Sequence, residues 1–305
     1  MAWTISNRSR IMEARARPAQ GGFSNGSVHA AFPAQEEVTI DGICCGSASA
    51  DPQRAGPAPI EGDAFGAALL QCHDAGGAPG TAFEIVERDD GWISVADIAV
   101  YFAPITEWTD VERLLCARAG GRVLDVGCGA GRHASALMDR GLDVVGIDSS
   151  PGAVAVSRQR GVRAVLGEAC RPPAALGPFD TFLMLGWNLA LLGSASHAAR
   201  VLDALAAVAA PGARILGIGA DPFGSADPDH LARLDANRDR GRLPGQFRIR
   251  VRHERLATPF FDWLCCSPPQ LRDLTRGTPW RVTEILADDP PGTYGVVLGL
   301  RHPKA

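Results

Sequence analysis

The stretch Val123-Leu124-Asp125-Val126-Gly127-Cys128-Gly129-Ala130-Gly131 decides the fold of this chain. Its apolar start is typical of a parallel strand that is covered on both faces. Glycine at every second position then lets the backbone turn sharply and approach a ligand where a Cβ atom would clash. The residues after Gly131 continue as a helix, whose first turn offers N–H groups to a carboxylate or phosphate. We therefore predict a strand, a glycine turn and a helix that together bind a charged ligand.

A second apolar strand ends in a carboxylate at Asp148, 17 residues after Gly131. A carboxylate at this position can accept both hydroxyls of a ribose, as in dinucleotide sites. The helix that follows has a better N-cap in Ser150, because Pro151 occupies its first position. Asp148 is therefore available for a ligand, and the two segments together predict a pocket for a nucleoside with a charged tail.

The glycine spacing leaves two cofactors open. Counted from Gly127 the dinucleotide fingerprint G-x-G-x-x-G/A fails, but counted from Gly129 its later positions are met by Gly131 and Ala134. This second count leaves Gly127 and Asp125 without a role. An NAD(P)-dependent oxidoreductase therefore stays an alternative, while an acidic residue two positions before G-x-G-x-G uses every special residue of the stretch.

That arrangement resembles motif I of the class I S-adenosylmethionine-dependent methyltransferases, and the resemblance extends over roughly residues 100–301. Further segments follow the family's order: Asp148, Gly167-Glu168-Ala169, Pro178 to Leu185 with Gly186-Trp187-Asn188 after it, and Ala210 to Leu216. The resemblance implies S-adenosyl-L-methionine (SAM) as cofactor and methyl transfer as activity. It also implies an α/β fold with a Rossmann-like, doubly wound, mostly parallel seven-stranded sheet whose final strand is antiparallel.

The resemblance further implies the site residues. The cofactor-binding candidates are Asp125, Gly127, Cys128, Gly129, Gly131, Asp148, Ser149, Glu168, Ala169 and Leu185. The catalytic candidates are His133, Asn188 and Tyr101. A general base is optional, because methyl transfer from a sulfonium mainly requires an acceptor held in line and a desolvated cation. We expect Cys128 to be a small filler, and a structural hydrogen bond at His133 is favoured over base catalysis.

The chain divides by composition into a tail, a cap and a domain. We predict a disordered N-terminal tail over 1–62, a cap or lid segment over 63–120, and the cofactor-binding domain over 121–305. The cap contains a hairpin signal at Asp89-Asp90-Gly91 and a capping box at Thr109 and Glu112. Tyr101 and Trp108 are lid or core aromatics of this cap. An insertion over 221–267, with a one-sided strand at Phe247 to Val251, is expected on the acceptor side.

Eight arginines lie between 233 and 255, in this insertion. They could clamp an anionic substrate or RNA. A solvated strand face neutralised by Asp235, Asp239 and Glu254 is favoured, because arginine outnumbers lysine throughout the chain. The fourth-strand segment also lacks the Asn/Asp-Pro-Pro-aromatic and Pro-Cys motifs of nucleic-acid methyltransferases, which lowers the expectation of a nucleic-acid acceptor.

Composition excludes several broad classes of protein. The 305 residues are 46% hydrophobic and carry a net charge of −4, so no global basic field attracts nucleic acid. No apolar run reaches the length of a membrane span, and no secretory signal is visible. The eight cysteines form no C-x-x-C pair, so we predict reduced thiols in a cytoplasmic protein and no metal site.

The leading hypothesis is a small-molecule methyltransferase. A non-catalytic methyltransferase-like scaffold is the other alternative, and the oligomeric state stays open.

Overall fold

A computed structural model describes residues 58–287 and 292–301, and the predicted tail up to residue 57 lies outside this range. Within it the helices are α1 (Ala64–Asp74), α2 (Asp110–Ala117), α3 (Arg132–Met138), α4 (Pro151–Gln159), α5 (Ala195–Ala207), α6 (Pro228–Asp239) and α7 (Pro268–Leu274). The strands are β1 (Ile60–Glu61), β2 (Phe83–Arg88), β3 (Ile93–Asp97), β4 (Val123–Val126), β5 (Val144–Asp148), β6 (Arg163–Leu166), β7 (Phe179–Met184), β8 (Ala209–Ala220), β9 (Gln246–His253), β10 (Leu256–Ala257), β11 (Phe261–Leu264), β12 (Trp280–Ala287) and β13 (Thr293–Leu300). None of these helices is both long and apolar enough to cross a membrane.

Seven strands form the main sheet, in the order β12-β13-β8-β7-β4-β5-β6. The pairs from β8 to β6 are parallel, whereas β13 runs antiparallel to both of its neighbours. This confirms the doubly wound, mostly parallel sheet and its antiparallel final strand. After β4 the chain adds β5 and β6 on one side of the sheet, and after β7 it adds β8 on the other side. The sheet therefore has a topological switch point between β4 and β7. Ligands bind at the carboxyl ends of strands at such a point.

The main sheet is covered on both faces, as the continuous apolar runs of its central strands predict. Leu124 and Val126 of β4 pack into one buried cluster, together with Phe182 and the fully buried Trp280. Val123, from the same strand, packs into a second cluster on the opposite face. Each such fully buried side chain contributes about 1.5–3 kcal/mol to folding. The two clusters hold β4, and therefore the glycine turn that follows it, in a rigid frame.

A second sheet joins the cap to the insertion. Its strands run β1-β10-β9-β2-β3, and β11 pairs with the first half of β9, from Gln246 to Ile249. The predicted hairpin forms: β2 and β3 pair antiparallel, and Gly91 in the turn has a φ angle of 87°. The strand that pairs with β2 on its other side is β9, about 160 residues later in the chain. The cap and the insertion, predicted as separate segments, are thus parts of one sheet.

The cap packs against the main sheet through α1 and α4. The Asp63 carboxylate caps α1 through the N–H of Gly66 and also accepts hydrogen bonds from the Gly152 N–H and the Ser150 hydroxyl. The two helices approach so closely that a Cβ atom on Gly152 would lie 2.5 Å from the Cα of Gly66. This contact places the cap beside the turn after β4.

Candidate functional site

The turn after β4 has the backbone conformation that its glycines permit. Gly127, Gly129 and Gly131 have φ angles of 72°, 54° and 76°, in a region that L side chains rarely adopt. The Gly127 N–H donates to the Ile147 carbonyl oxygen at 2.8 Å, which ties the turn to β5. The Asn188 side-chain nitrogen, from beyond β7, donates to the carbonyl oxygens of Val126 and Gly127 at 2.9 and 2.7 Å. The turn is therefore held from both neighbouring strands.

Asp148 lies at the end of β5 and faces the same turn. One of its carboxylate oxygens accepts the Gly129 N–H and the other accepts the Ser150 N–H, both at 2.9 Å. Burial raises the pKa of this carboxyl to about 6, although the two backbone hydrogen bonds oppose the shift. Each oxygen keeps a second lone pair that can accept a ligand hydroxyl. As predicted, Ser150 caps α4 by accepting the Ala153 N–H.

The space above the turn is roofed by two aromatic rings of the cap. A Cβ atom on Gly129 would lie 3.6 Å from Cδ1 of Tyr101 and 3.9 Å from Cζ of Phe65, so a side chain there would occupy this space. The two rings meet edge to face, with centroids 5.1 Å apart. Because Gly129 has no side chain, the two rings pack directly against the turn.

Asp125 is the buried acid of the sequence motif. Its side chain points toward the start of α3, and neither carboxylate oxygen has a hydrogen-bond partner of normal geometry within the described residues. Burial raises its pKa, while the nearby His133 and Arg132 side chains and the N–H of Ala134 act in the opposite direction. Because both oxygens are closed off from solvent, Asp125 can influence a ligand at the turn through its charge and not by direct contact.

Glu112 of the cap binds the first residues of α3. The same carboxylate oxygen accepts hydrogen bonds from Arg132 at 2.6 Å and from Nε2 of His133 at 2.7 Å. Trp108 packs edge to face on the His133 ring, with centroids 4.8 Å apart, and the Arg132 guanidinium lies over the Trp108 ring. The predicted capping box is thus only half formed: Thr109 accepts the Glu112 N–H, but the Glu112 side chain reaches α3 instead of returning to Thr109.

The remaining predicted cofactor contacts lie around this turn at different depths. Ser149 and Glu168 are exposed, whereas Ala169 packs against the main core. Leu185 and Cys128 are buried, and the Cys128 sulfur lies 3.7 Å from the Ser157 hydroxyl. Cys128 therefore fills space behind the turn, where burial raises its pKa far above the ordinary thiol range.

Glu84 is a polar residue near the site that the sequence did not single out. It lies on β2, is 6% exposed, and its carboxylate accepts a hydrogen bond of 2.9 Å from the Tyr101 hydroxyl. Burial raises its pKa to about 7, and the bond from Tyr101 opposes this shift. The only sequence signal for this residue was an acidic side chain inside a predicted hairpin strand.

Some arginines of the insertion are paired with carboxylates. Arg250 and Arg252 bind Glu87 of the cap at 2.9 and 3.3 Å, while Arg233 binds Asp90 at 3.3 Å. The predicted partner Asp235 does bind Arg238, but Glu87 and Asp90 were not foreseen. They come from the cap, and the pairing of β2 with β9 brings them to the arginines.

Comparisons with known proteins agree with this geometry. Residues 123–212, from the start of β4 into β8, match the family model described as a methyltransferase domain. A demethylmenaquinone methyltransferase of Beutenbergia cavernae is 38% identical over 104 residues, which are 33% of this chain and 42% of that protein. The match therefore spans less than half of that relative's length.

Solved structures extend the likeness to most of the described residues. A SAM-dependent methyltransferase from Bacteroides fragilis in complex with S-adenosyl-L-homocysteine matches with a TM-score of 0.67 at 23% identity, covering 81% of this chain and 98% of that one. The CcbJ methyltransferase from Streptomyces caelestis matches with a TM-score of 0.50 at 15% identity, covering 66% and 92%. At these identities the structures establish the fold. The family match assigns a methyltransferase domain to residues 123–212, and the solved structures show that most of the chain has the fold of SAM-dependent methyltransferases.

Proposed function

We propose that this protein transfers the methyl group of SAM to a small-molecule acceptor. The observation that carries the proposal is the meeting of the glycine turn, Asp148 and the aromatic roof at the switch point of the sheet. The name of the Beutenbergia cavernae relative supports a small acceptor, since that protein is described as acting on demethylmenaquinone. When bound, SAM supplies a methyl group on a sulfonium, from which a neutral thioether departs as a good leaving group.

Cofactor binding is assigned to the residues around the turn. The backbone from Gly127 to Gly131 would hold the amino-acid end, and Asp148 would accept the ribose hydroxyls. Ser149, Glu168 and Ala169 would contact the adenine. Asp125 supports the turn electrostatically, while the buried side chains of Cys128 and Leu185 pack beneath the turn.

The three catalytic candidates have different roles in this proposal. His133 and Asn188 are positioning residues, because His133 bonds to Glu112 and the Asn188 amide bonds to the turn. Tyr101 covers the turn and lies nearest to where the cofactor would be. The acceptor enters from the side of the cap and the insertion, so that a water-excluded pocket forms over the methyl group.

A polyanionic acceptor is disfavoured. Arg250 and Arg252 of β9 share Glu87, and Asp90 binds Arg233, so these three cations are paired with carboxylates of the cap. Nucleic-acid binding depends on cations that can replace the counterions of the phosphates. A strongly salt-dependent shift of RNA mobility by this protein would contradict the small-molecule proposal.

Calorimetric titration with S-adenosyl-L-homocysteine (SAH) tests the cofactor site. We expect micromolar binding by the wild type, no measurable binding by Asp148→Ala, and unchanged binding by the control Asp139→Ala, whose side chain is exposed at the end of α3. Affinity should fall below about pH 6, where Asp148 takes up a proton. Absence of binding in the wild type, or equal binding in Asp148→Ala, would contradict the proposal.

A second experiment separates an enzyme from a scaffold. The protein is incubated with SAM carrying a labelled methyl group and a small-metabolite extract, and labelled small molecules are separated from labelled macromolecules. We expect label in a small molecule, and none when Asp148→Ala replaces the wild type. Binding of SAH without transfer to any acceptor would favour the scaffold, and tight binding of NADH would revive the oxidoreductase.

A further inference from the structure

The end of helix α4 holds the glycine turn from behind through two side chains. The Ser157 hydroxyl donates to the carbonyl oxygen of Gly129 at 2.8 Å, and Nη1 of Arg160 donates to the carbonyl oxygen of Ala130 at 2.9 Å. Ser157 lies in the last turn of α4, and Arg160 is the residue directly after the helix. Residues three positions apart share one side of a helix, so two consecutive carbonyl groups of the turn are bound by the same surface.

Arg160 occupies this position at a cost to stability. Its guanidinium lies over the ring of Phe102 in the cap, 5.1 Å from the ring centroid, and Phe102 is the chain neighbour of the roof residue Tyr101. Burial lowers the pKa of Arg160, and no carboxylate of the described residues offsets this shift. Because a partly buried cation without a counter-charge reduces stability, the arginine is better explained by the turn that it holds than by folding.

The peptide between Gly129 and Ala130 depends on the Ser157 bond for its orientation. Gly129 has no Cβ atom and a φ angle of 54°, so steric contacts restrict its backbone little. Its N–H is bound by Asp148 and its carbonyl oxygen by Ser157, which fixes the residue from both sides. The C=O and N–H of a trans peptide point in opposite directions, so Ser157 also directs the Ala130 N–H away from α4.

We propose that Ser157 and Arg160 are positioning residues that keep the turn in the orientation that receives the carboxylate of the cofactor's amino-acid end. The inference rests on the proposed function, because it assigns the turn to that end of SAM. A flipped peptide would present the Gly129 carbonyl oxygen in place of the Ala130 N–H, and this oxygen would repel a carboxylate. The measured affinity would then fall by the factor by which the competent conformer is depleted.

Two ligands separate this positioning role from general damage to the fold. SAH has the amino-acid end, whereas methylthioadenosine has the same adenine and ribose but only a methylthio group in its place. The Gly129 N–H belongs to the preceding peptide, so its bond to Asp148 does not depend on the flip. Asp148 also keeps its bond from the Ser150 N–H. Loss of the α4 side chains should therefore weaken SAH and leave methylthioadenosine unaffected.

The test measures dissociation constants for both ligands by calorimetry on the full chain. We expect SAH to bind about fivefold more weakly to Ser157→Ala and about tenfold more weakly to Arg160→Met, from the loss of a neutral and a charged hydrogen bond. Methylthioadenosine should bind each variant with the wild-type affinity, within about twofold. Asp148→Ala should weaken both ligands, because both carry the ribose.

The matched control is Thr181→Val, which removes a buried hydroxyl that donates to the Gly120 carbonyl oxygen at 2.8 Å. Thr181 pairs with Val123, the first residue of β4, so this bond lies at the end of the strand away from the turn. The control should keep both affinities. Unchanged SAH affinity in Ser157→Ala and Arg160→Met, or a loss shared by methylthioadenosine or by the control, would overturn the inference while wild-type SAH binding left the proposed function standing. If the wild type binds neither ligand, the proposed function and the inference fall together.

Discussion

Two glutamates of the cap are buried to the same degree and behave in opposite ways. Glu84 and Glu112 are 6% and 5% exposed. The pKa of Glu84 is raised to about 7, whereas that of Glu112 is lowered even though burial by itself raises it. Their partners explain the difference: Glu112 meets the charged Arg132 and the His133 ring, and Glu84 meets one neutral phenol.

The comparison separates a structural carboxylate from one that stays available for function. A buried charge is tolerated when it is paired, and it costs stability when its partners are neutral. Glu112 thus fastens the cap to the helix that follows the glycine turn. Glu84 makes no such contact, and its ionised form reduces stability at neutral pH. Natural proteins accept costs of this kind mainly at functional sites.

The largest effect is expected when the paired glutamate is neutralised. Glu112→Gln leaves the Arg132 guanidinium, whose side chain is only 14% exposed, without its counter-charge. Removing one member of a buried ion pair costs about 3 kcal/mol or more. We expect the free energy of unfolding in urea at pH 7 to fall by about this amount, and Glu107→Gln, an exposed neighbour in the same segment, to leave it unchanged.

The cost of Glu112→Gln should also depend on pH. A carboxyl with a lowered pKa in the folded state contributes stability above its unfolded pKa, and this contribution is lost as pH falls through the folded value. The difference between wild type and variant should therefore be full near pH 7 and shrink in acid. A difference that stayed constant down to about pH 3 would mean that packing, and not charge, sets the effect.

A smaller effect should follow from removing one of the two donors to Glu112. His133→Phe keeps a ring against Trp108 but removes the Nε2 hydrogen bond to the carboxylate. A hydrogen bond to a charged group contributes about 1.5 kcal/mol, so the loss in unfolding free energy should be about half that of Glu112→Gln. If Glu112→Gln and His133→Phe were equally unstable, the contacts of Glu112 with His133 and Arg132 would be lost as one unit. The double variant Glu112→Gln/His133→Phe would then show no further loss.

Glu84→Gln should shift stability in the opposite direction. Between pH 4.5 and about 7 the folded protein keeps a proton on Glu84 that the unfolded chain has released, so the wild type loses stability as pH rises through this window. The variant avoids that loss, and we expect it to be up to about 3 kcal/mol more stable than wild type at pH 8 and no more stable at pH 4.5. Urea unfolding at both pH values checks the sign. A destabilised variant at pH 8 would place Glu84 with Glu112 as a structural residue.

The main sheet and its cofactor turn could be predicted from sequence because their signals are local. The glycines, the acid before them and Asp148 lie within one strand–helix–strand unit, and the regular alternation after Gly121 indicates a doubly wound sheet. The hairpin at Asp89-Asp90-Gly91 is local in the same way. Each of these features is decided by residues a few positions apart.

The second sheet and Glu84 could not be predicted because they depend on distant parts of the chain. Alternation in β2 would turn the apolar Phe83 inward, yet Phe83 is 45% exposed and Glu84 is buried. The pairing of β2 with β9 sets this orientation, and nothing in residues 83–88 encodes it. The contact between Glu112 and α3 is equally non-local, so the side chain that completes a local capping box instead joins two segments. Tertiary contacts here override local pattern.

The smallest effect on unfolding free energy is expected at a third glutamate, Glu87, which is partly exposed to solvent and so can be compared with the two buried ones. Glu87 lies three residues after Glu84 on the other face of β2, where it binds Arg250 and Arg252 and its side chain is 20% exposed. Ion pairs that water can reach contribute about 0.5 kcal/mol and are screened by salt. Glu87→Gln should therefore change the unfolding free energy by no more than about this amount, and by less in about 0.5 M salt. Measured beside Glu84→Gln in the same urea series, it holds strand and residue type constant, so that a difference between the two variants can come only from burial and partners.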